Sequence, residues 1–171
     1  MPFPDSFRTQ RLLAERLTLA HADDIRRQDR DPDLMGMMGG PREEAVTAAY
    51  LERNLRHWTD FGFGLWVLRD AVDRRVAGRA VLRHLEVEGT DEIEVGYAFV
   101  KEFWGRGLAT EIARECVRQG HGALGFPSIV AITRPFNLGS QRVMEKVGMV
   151  FEREILHDGI PHVLFRSRAS S

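Results

Sequence analysis

The spacing of apolar residues changes repeatedly along this chain of 171 residues, and this pattern limits the folds that it can adopt. Alternating apolar residues are typical of a half-buried strand, whereas apolar residues three or four positions apart are typical of an amphipathic helix. The resulting order, β-α-α-β-β-β-α-β-α-β-β, predicts one α+β domain over residues 1–171, with about seven strands and about four helices. The predicted strands are residues 11–18, 65–69, 76–86, 93–100, 128–133, 150–156 and 160–166, and the predicted helices are residues 20–30, 41–62, 107–120 and 138–147.

One connection between strands differs from the others. Short turns join the strands at 65–100 and at 150–166, which predicts antiparallel pairs. The strand at 93–100, in contrast, reaches the strand at 128–133 through a helix, and a crossover of this length joins parallel neighbours. We therefore expect a mixed, mostly antiparallel sheet.

The overall charge and the cysteine content exclude several classes of protein. With 24 basic and 25 acidic residues, the formal net charge is −1, so no nucleic-acid partner is expected. Cys116 is the only cysteine, which excludes an intrachain disulfide and a cysteine-based zinc site, and no metal is expected. No apolar run approaches the roughly 18 residues of a membrane span, and MPFPDSFRTQ lacks an apolar signal core, so we expect a cytoplasmic protein without a membrane partner.

The stretch FVKEFWGRGLATE, residues 99–111, leads from a strand through two glycines into a helix. Free amide groups and the helix dipole make such a helix start a potential anion site, and Gly105 and Gly107 would let a ligand approach the backbone. Arg106 and Arg142 could supply countercharge. The same glycines could instead serve only to make a tight turn, and the local sequence alone leaves both interpretations open.

Two phosphate-binding motifs fail at this turn. A dinucleotide fingerprint needs a third glycine where Thr110 stands, and an acidic residue that the next strand lacks. A P-loop needs a lysine after the glycine, and neither glycine is followed by one.

The turn instead fits the acyl-CoA pattern Q/R-x-x-G-x-G/A, with Trp104 in the Gln/Arg position. Four segments in order resemble the RimJ/RimL-like branch of the GNAT superfamily of acetyl-CoA-dependent N-acetyltransferases: TQRL at 9–12, EVGY at 94–97, EFWGRGLATE at 102–111 and NLGSQRVMEKVGM at 137–149. The resemblance implies a GNAT-like sheet that is splayed at the cofactor cleft and carries helices on both faces.

The resemblance also implies the contacts of acetyl-CoA, which would be the co-substrate. Its acyl end would thread between the strands at 93–100 and 128–133. Asn137 resembles the residue that hydrogen-bonds the pantetheine arm, although an asparagine there is otherwise a helix N-cap. The pantetheine arm would pair with Ala98, Phe99 and Val100, and the pyrophosphate would lie on the amides of Gly105, Arg106, Gly107, Leu108, Ala109 and Thr110.

Acyl transfer from a thioester to an amine requires a neutral amine, a stabilised oxyanion and a departing thiolate. Glu94 is the candidate general base, with a structural or substrate-orienting carboxylate as the rival interpretation. Ser140 matches the serine near the sulfur in this branch, although it could be an ordinary first-turn serine. The tyrosine that many relatives use as an acid is replaced by Met144. A backbone N–H at a bulge in residues 97–99 would hold the oxyanion.

The remaining histidines and the cysteine have simpler explanations. His57 and His84 are secondary candidates for catalysis, and a lone histidine is more often structural. Cys116 lies on the apolar face of a predicted helix, so we expect it to pack in the core.

These observations predict an N-acetyltransferase that acts on a primary amine, either a protein N-terminal α-amine or a small-molecule amine. The acceptor would be lined by the first two helices, the loop at 35–40 and the last two strands. The alternative is a non-catalytic acyl-CoA sensor or partner-binding protein with the same fold. Because the last two strands often build dimers in this superfamily, a homodimer is a further expectation.

Overall fold

The computed structural model describes residues 5–171, and within them it contains one eight-stranded sheet and five α-helices. The strands are β1 (Phe7–Arg8), β2 (Leu12–Arg16), β3 (Leu65–Asp70), β4 (Val76–Val87), β5 (Thr90–Phe99), β6 (Ser128–Thr133), β7 (Val150–His157) and β8 (Ile160–Arg168). The helices are α1 (Ala22–Arg30), α2 (Pro32–Met35), α3 (Glu44–Phe61), α4 (Leu108–His121) and α5 (Leu138–Lys146).

The strands follow the order β1-β2-β3-β4-β5-β6-β8-β7, and every neighbouring pair is antiparallel except β5 and β6. These two parallel strands pair at a single position, Glu94 with Val130. Beyond this position, residues 95–99 of β5 and residues 131–133 of β6 do not pair with each other, which leaves a gap between the two strands. The sheet is therefore splayed at the crossover, and the predicted mixed, mostly antiparallel architecture is confirmed.

Helices cover both faces of the sheet, as predicted. Arg79 and Leu82 are three residues apart on β4, so their side chains point to opposite faces. Arg79 contacts Asp29 of α1, whereas Leu82 lies beneath Gly120 of α4. Helix α1 thus lies on one face, and α4 lies on the other. The largest fully buried side chains between these layers include Trp66, Phe103 and Phe165.

Two short elements were not predicted, and helix α3 begins later than expected. Strand β1 has two residues and α2 has four, which is too short for either to show a periodic pattern. Asp31 begins α2 because its carboxylate accepts hydrogen bonds from the N–H groups of Asp33 and Leu34. Helix α3 begins at Glu44 and not at the predicted Pro41, because the N–H of Arg42 is bound to the carbonyl of Asp29 at 2.8 Å.

No helix within residues 5–171 is long and apolar enough to cross a membrane. The same residues contain no group of histidine, cysteine or acidic side chains with the arrangement of a metal site.

Strand β7 forms an outer edge of the sheet and exposes Val150, Phe151 and Leu156. The homodimer expected at the last two strands stays a prediction.

Candidate active site

The glycine turn between β5 and α4 has the backbone of an anion-binding loop. Gly105 and Gly107 have φ angles of 72° and 75°, in the left-handed region that favours glycine. Gly107 is the N-cap of α4 and has no side chain with which to cap the helix. The first N–H groups of α4 are therefore left for another acceptor.

Six consecutive amides have no partner at this turn. None of the N–H groups from Gly105 to Thr110 donates a hydrogen bond to any residue in the range 5–171, and the first backbone bond of the helix runs from Glu111 to Gly107, at 3.1 Å. Helix α4 has 14 residues, so its dipole adds partial positive charge to the same spot. The donor set therefore matches a pyrophosphate, which offers several oxygen acceptors and negative charge.

The two arginines expected to supply countercharge lie in different settings. Arg106 is exposed at the turn, its guanidinium lies 5.2 Å from the centre of the Phe103 ring, and it forms no ion pair with the described residues. Arg142 is also exposed, but its Nε donates to the carbonyl of Leu138 in its own helix, at 3.3 Å. Of these two arginines, Arg106 lies at the turn itself, whereas a ligand role for Arg142 stays a prediction.

The edge of β5 beside the gap is open. The N–H of Val100 donates to the carbonyl of Ala77 at 2.9 Å, and backbone groups alternate between the two edges of a strand. The backbone groups of Ala98 and Val100 therefore face β4, and those of Tyr97 and Phe99 face the gap. Of the three residues expected to pair with the pantetheine arm, Phe99 alone presents its backbone to the gap, and Tyr97 takes the place of Ala98 and Val100. The Nε1 of Trp104 donates to the carbonyl of Phe99 at 2.8 Å.

The strand does not bulge at 97–99, contrary to expectation. The pairing of β4 with β5 runs in unbroken register from Gly78 and Phe99 to Val87 and Thr90. A bulge is not needed to expose an N–H group, because the separation of β6 from β5 already frees the cleft edge.

Asn137 and Ser140 lie together at the start of α5, across the gap from β5. Asn137 caps the helix by accepting from the N–H of Ser140 at 3.2 Å, and its Nδ2 donates to Thr133 Oγ1 at 3.0 Å. The Oγ of Ser140 lies 3.1 Å from the hydroxyl of Tyr97. Asn137 keeps one free donor and one free lone pair, so capping leaves it able to bind a ligand.

The Tyr97 side chain lies in the candidate site, which we did not predict. Burial raises the pKa of its phenol to about 12, so the phenol stays protonated at neutral pH. Its O–H can also donate to the carbonyl of Ser140, at 3.3 Å. Tyr97 was visible in the EVGY segment, but sequence alone does not show that its side chain reaches a residue 43 positions away.

Glu94 is buried, with 6% of its surface exposed, and Arg83 Nε donates to its Oε2 at 2.7 Å. The charge of Glu94 raises the pKa of the Arg83 guanidinium. Because Glu94 and Tyr97 are an odd number of residues apart on β5, they face opposite sides of the sheet. Because Ser140 contacts Tyr97, the two candidate catalytic residues, Glu94 and Ser140, lie toward opposite faces of the sheet.

The secondary candidates have structural contacts. His57 accepts from the N–H of His84 at 3.1 Å, and its own Nδ1 donates to the carbonyl of Phe63 at 2.8 Å. His84 Nδ1 lies 2.9 Å from Asp91. Cys116 and Met144 are buried, and burial raises the pKa of the Cys116 thiol.

The N-terminal segment also reaches the glycine turn, which we did not predict. Arg11 Nη1 donates to the carbonyl of Arg106 at 2.7 Å, and Arg11 Nε donates to Glu111 Oε2, also at 2.7 Å. Thr9 donates to Glu111 Oε1 at 2.6 Å. These residues belong to two of the motif segments, and that membership was the only signal in the sequence that could have pointed to them.

Two adjoining hollows lie between the β4–β5 turn and the β7–β8 turn, with volumes of about 440 and 380 Å³. They are apart from the glycine turn. Their charged and titratable lining consists of Glu86, Glu88, Glu154, Asp158, His157 and His162. The β7–β8 part of this lining belongs to the region expected to receive the acceptor, which stays a prediction.

Comparison with known proteins identifies the family. The family described as the acetyltransferase (GNAT) domain matches residues 11–150. The "Uncharacterized protein YkkB" of Bacillus subtilis (strain 168) is 31% identical over 125 residues, which cover 73% of each chain. The FsC-acetyl coenzyme A-N(2)-transacetylase of Aspergillus fumigatus is 30% identical over 151 residues, which cover 82% of this chain and 63% of that enzyme.

A solved structure shows the same fold. RimL, a ribosomal L7/L12 alpha-N-protein acetyltransferase in complex with coenzyme A, matches with a TM-score of 0.77 over 98% of this chain and 97% of its own, at 13% identity. The chain therefore belongs to the GNAT family of N-acetyltransferases, and its fold matches that of the RimJ/RimL-like branch that its motifs resemble.

Proposed function

We propose that this protein transfers an acetyl group from acetyl-CoA to a primary amine by direct attack of the amine in a ternary complex. The observation that carries the proposal is the row of six unpartnered amides from Gly105 to Thr110 at the start of α4, beside the gap between β5 and β6. An anion site next to an open strand edge suits a ligand with a pyrophosphate at one end and an amide-containing arm at the other.

Acetyl-CoA would lie along this edge. The amides from Gly105 to Thr110 would hold the pyrophosphate, with Arg106 as countercharge. The pantetheine arm would run beside residues 97–100, where Tyr97 and Phe99 present backbone groups to the gap, and Asn137 would contact it from the other side. Because the Phe99 carbonyl already accepts from Trp104, the arm would rely on the remaining backbone groups of Tyr97 and Phe99.

The residues on the two sides of the gap would divide the chemistry. Glu94, held by Arg83, would take the proton that the amine loses when its nitrogen forms the new bond to the acetyl carbon. A backbone N–H of Tyr97 or Phe99 would hold the oxyanion. Ser140 would donate a hydrogen bond to the thiolate that leaves as the carbon–sulfur bond breaks, and the protonated phenol of Tyr97 would support Ser140.

The acceptor amine belongs to one of two classes. RimL acts, by its name, on a protein α-amine, and the Aspergillus enzyme is named for transfer of acetyl from acetyl-CoA to an N(2) position. We therefore include N-terminal peptides and small-molecule amines as acceptors in the test.

The test is release of free thiol from acetyl-CoA in the presence of peptides, aminoglycosides and polyamines. We expect amine-dependent release with at least one acceptor, together with a matching acetylated product in the mass spectrum. Tight CoA binding without turnover on any of these amines would support the non-catalytic acyl-CoA-binding protein instead. Failure to bind CoA would contradict both.

A further inference from the structure

The TQRL segment at residues 9–12 has no role in the proposed chemistry, yet the structure brings it against the glycine turn. We infer that Arg11 is a positioning residue for acetyl-CoA, which fixes the pyrophosphate-binding backbone through Glu111 and the peptide group of Arg106. This inference rests on the proposed function, because it assigns a task at the same cofactor site.

Glu111 links the N-terminal segment to the first turn of α4. Its N–H closes the first helical hydrogen bond on Gly107, at 3.1 Å. Its carboxylate accepts from the Thr9 hydroxyl at 2.6 Å and from both the N–H and the Nε of Arg11, at 2.8 and 2.7 Å. One residue therefore ties the start of the helix to a segment that precedes it by about 100 positions.

Arg11 also fixes the direction of an amide at the turn. Its Nη1 donates to the carbonyl of Arg106 at 2.7 Å. In a trans peptide unit the C=O and the following N–H point in opposite directions, so the N–H of Gly107 is turned away from Arg11 and toward the ligand side. The Nη2 of Arg11 also lies 3.6 Å from the place where a Cβ of residue 107 would stand, so the guanidinium packs directly on this glycine.

The charge of Glu111 makes the pairing matter for an anionic ligand. A free carboxylate at the start of α4 would repel a pyrophosphate. Burial works to raise the pKa of Glu111, but the hydrogen bonds from Thr9 and Arg11 together hold it below its ordinary value, so the group is ionised at neutral pH. Arg11 compensates this charge, and its side chain remains 47% exposed at the turn. Loss of Arg11 would therefore both loosen the turn and leave an uncompensated negative charge beside it.

The test compares CoA binding, by calorimetry, to the wild-type chain and to Arg11→Gln. We expect the dissociation constant to rise roughly tenfold or more, the size of effect that loss of hydrogen bonds to charged groups produces. Arg8→Gln is the matched control, because the side chain of Arg8, on β1, is exposed and makes no hydrogen bond or ion pair with the described residues. It should change the constant less than twofold. Equal CoA affinity of the wild type and Arg11→Gln would overturn the inference.

A second acyl donor separates positioning from general damage to the fold. Acetyl-pantetheine lacks the pyrophosphate, so Arg11→Gln should keep the wild-type kcat/KM with it while KM for acetyl-CoA rises. A parallel loss with both donors would show that Arg11 merely supports the fold. The double variant Arg11→Gln/Glu111→Gln also removes the uncompensated charge of Glu111. It should bind CoA no more weakly than Arg11→Gln does. A further tenfold loss of affinity would contradict the role assigned to Glu111.

The outcomes also separate this inference from the proposed function. A wild-type chain that binds no CoA would refute the cofactor site itself. A wild-type chain that binds CoA and turns over, with an Arg11→Gln variant that does the same at equal affinity, would refute the role of Arg11 alone.

Discussion

Glu94 has the burial and the partner of a residue whose carboxylate must keep one orientation. It is 6% exposed, and the Nε of Arg83 fixes its Oε2 at 2.7 Å. The same contacts would serve a purely structural carboxylate, so a substitution is needed to assign its task. A glutamine keeps the shape and removes the ability to take a proton.

We expect Glu94→Gln to lower kcat about 100-fold or more, the typical contribution of general base catalysis. The dissociation constant for CoA should change little, because Glu94 lies away from the glycine turn. Steady-state kinetics measure kcat, and calorimetry measures CoA binding. Glu145→Gln, an exposed residue of α5, is the control. Unchanged turnover in Glu94→Gln would show that Glu94 is not the base.

Ser140 and Tyr97 form a pair of hydroxyl groups, with 3.1 Å between their oxygens. We expect Ser140→Ala to lower kcat more than it weakens CoA binding, and Tyr97→Phe to lower kcat in the same direction. Because the two groups act on one another, the double variant should lose less than the product of the single losses. Since burial raises the pKa of Tyr97 to about 12, no Tyr97 limb should appear in the pH profile at or below pH 9. A Ser140→Ala variant that loses CoA affinity but keeps kcat would make Ser140 a structural residue.

At the scale of elements, His57 joins the end of α3 to the sheet. Its Nδ1 donates to Phe63, and its Nε2 accepts from the N–H of His84, so the ring must be neutral to make both bonds. Burial lowers the pKa of His57 below its ordinary value. A proton therefore binds more readily to the unfolded chain, and the free energy of unfolding should fall as the pH drops below about 6.5, the ordinary histidine value.

Urea unfolding at pH 7.5 and pH 5.5 measures this effect. One histidine contributes at most about 1.4 kcal/mol per pH unit. We expect His57→Gln to lose less stability than the wild type between these two pH values, since every other side chain is the same in both proteins. An identical loss in the variant would show that His57 does not carry the pH dependence.

Arg166 on β8 holds together the closed end of the splayed sheet. Its guanidinium contacts Glu92 of β5 at 2.8 and 2.9 Å, Ser128 of β6 at 2.6 Å and Glu152 of β7 at 2.8 Å. Glu92 and Ser128 both precede the single pair at which β5 meets β6. Arg166 therefore holds the end of the sheet at which β5 and β6 are joined, and the gap between these strands lies beyond that end.

Arg166→Met should lower the free energy of unfolding by about 3 kcal/mol, because it leaves Glu92 and Glu152 without their shared partner in a largely buried site. Arg168→Met is the control. Its side chain is 72% exposed, and its contact with Glu152 is 3.7 Å long, so we expect a change within about 0.5 kcal/mol. Urea unfolding measures both variants, and equal stability of the two would contradict the role of Arg166.

At the scale of the whole molecule, local sequence patterns predicted the helices and strands, but they did not predict the contacts between residues distant in the chain. Strand Ser128–Thr133 was predicted to the residue because its apolar run is continuous and bounded. Strand β1, with two residues, and helix α2, with four, were missed because they are too short for a periodic pattern to repeat. The motifs named the glycine turn, Asn137 and Ser140, but periodicity carries no information about which distant side chains meet. The pairs Arg11 with Glu111, Glu94 with Arg83 and Tyr97 with Ser140 therefore emerged only from the folded chain.

The most direct measurement of the central claim is a crystal structure of the protein with CoA and an amine acceptor. We expect pyrophosphate oxygens within about 3.2 Å of the amides of Gly105 to Thr110, the pantetheine arm along the open edge of β5, and the sulfur beside Ser140. CoA bound elsewhere on the molecule, with those six amides still without an acceptor, would contradict the account.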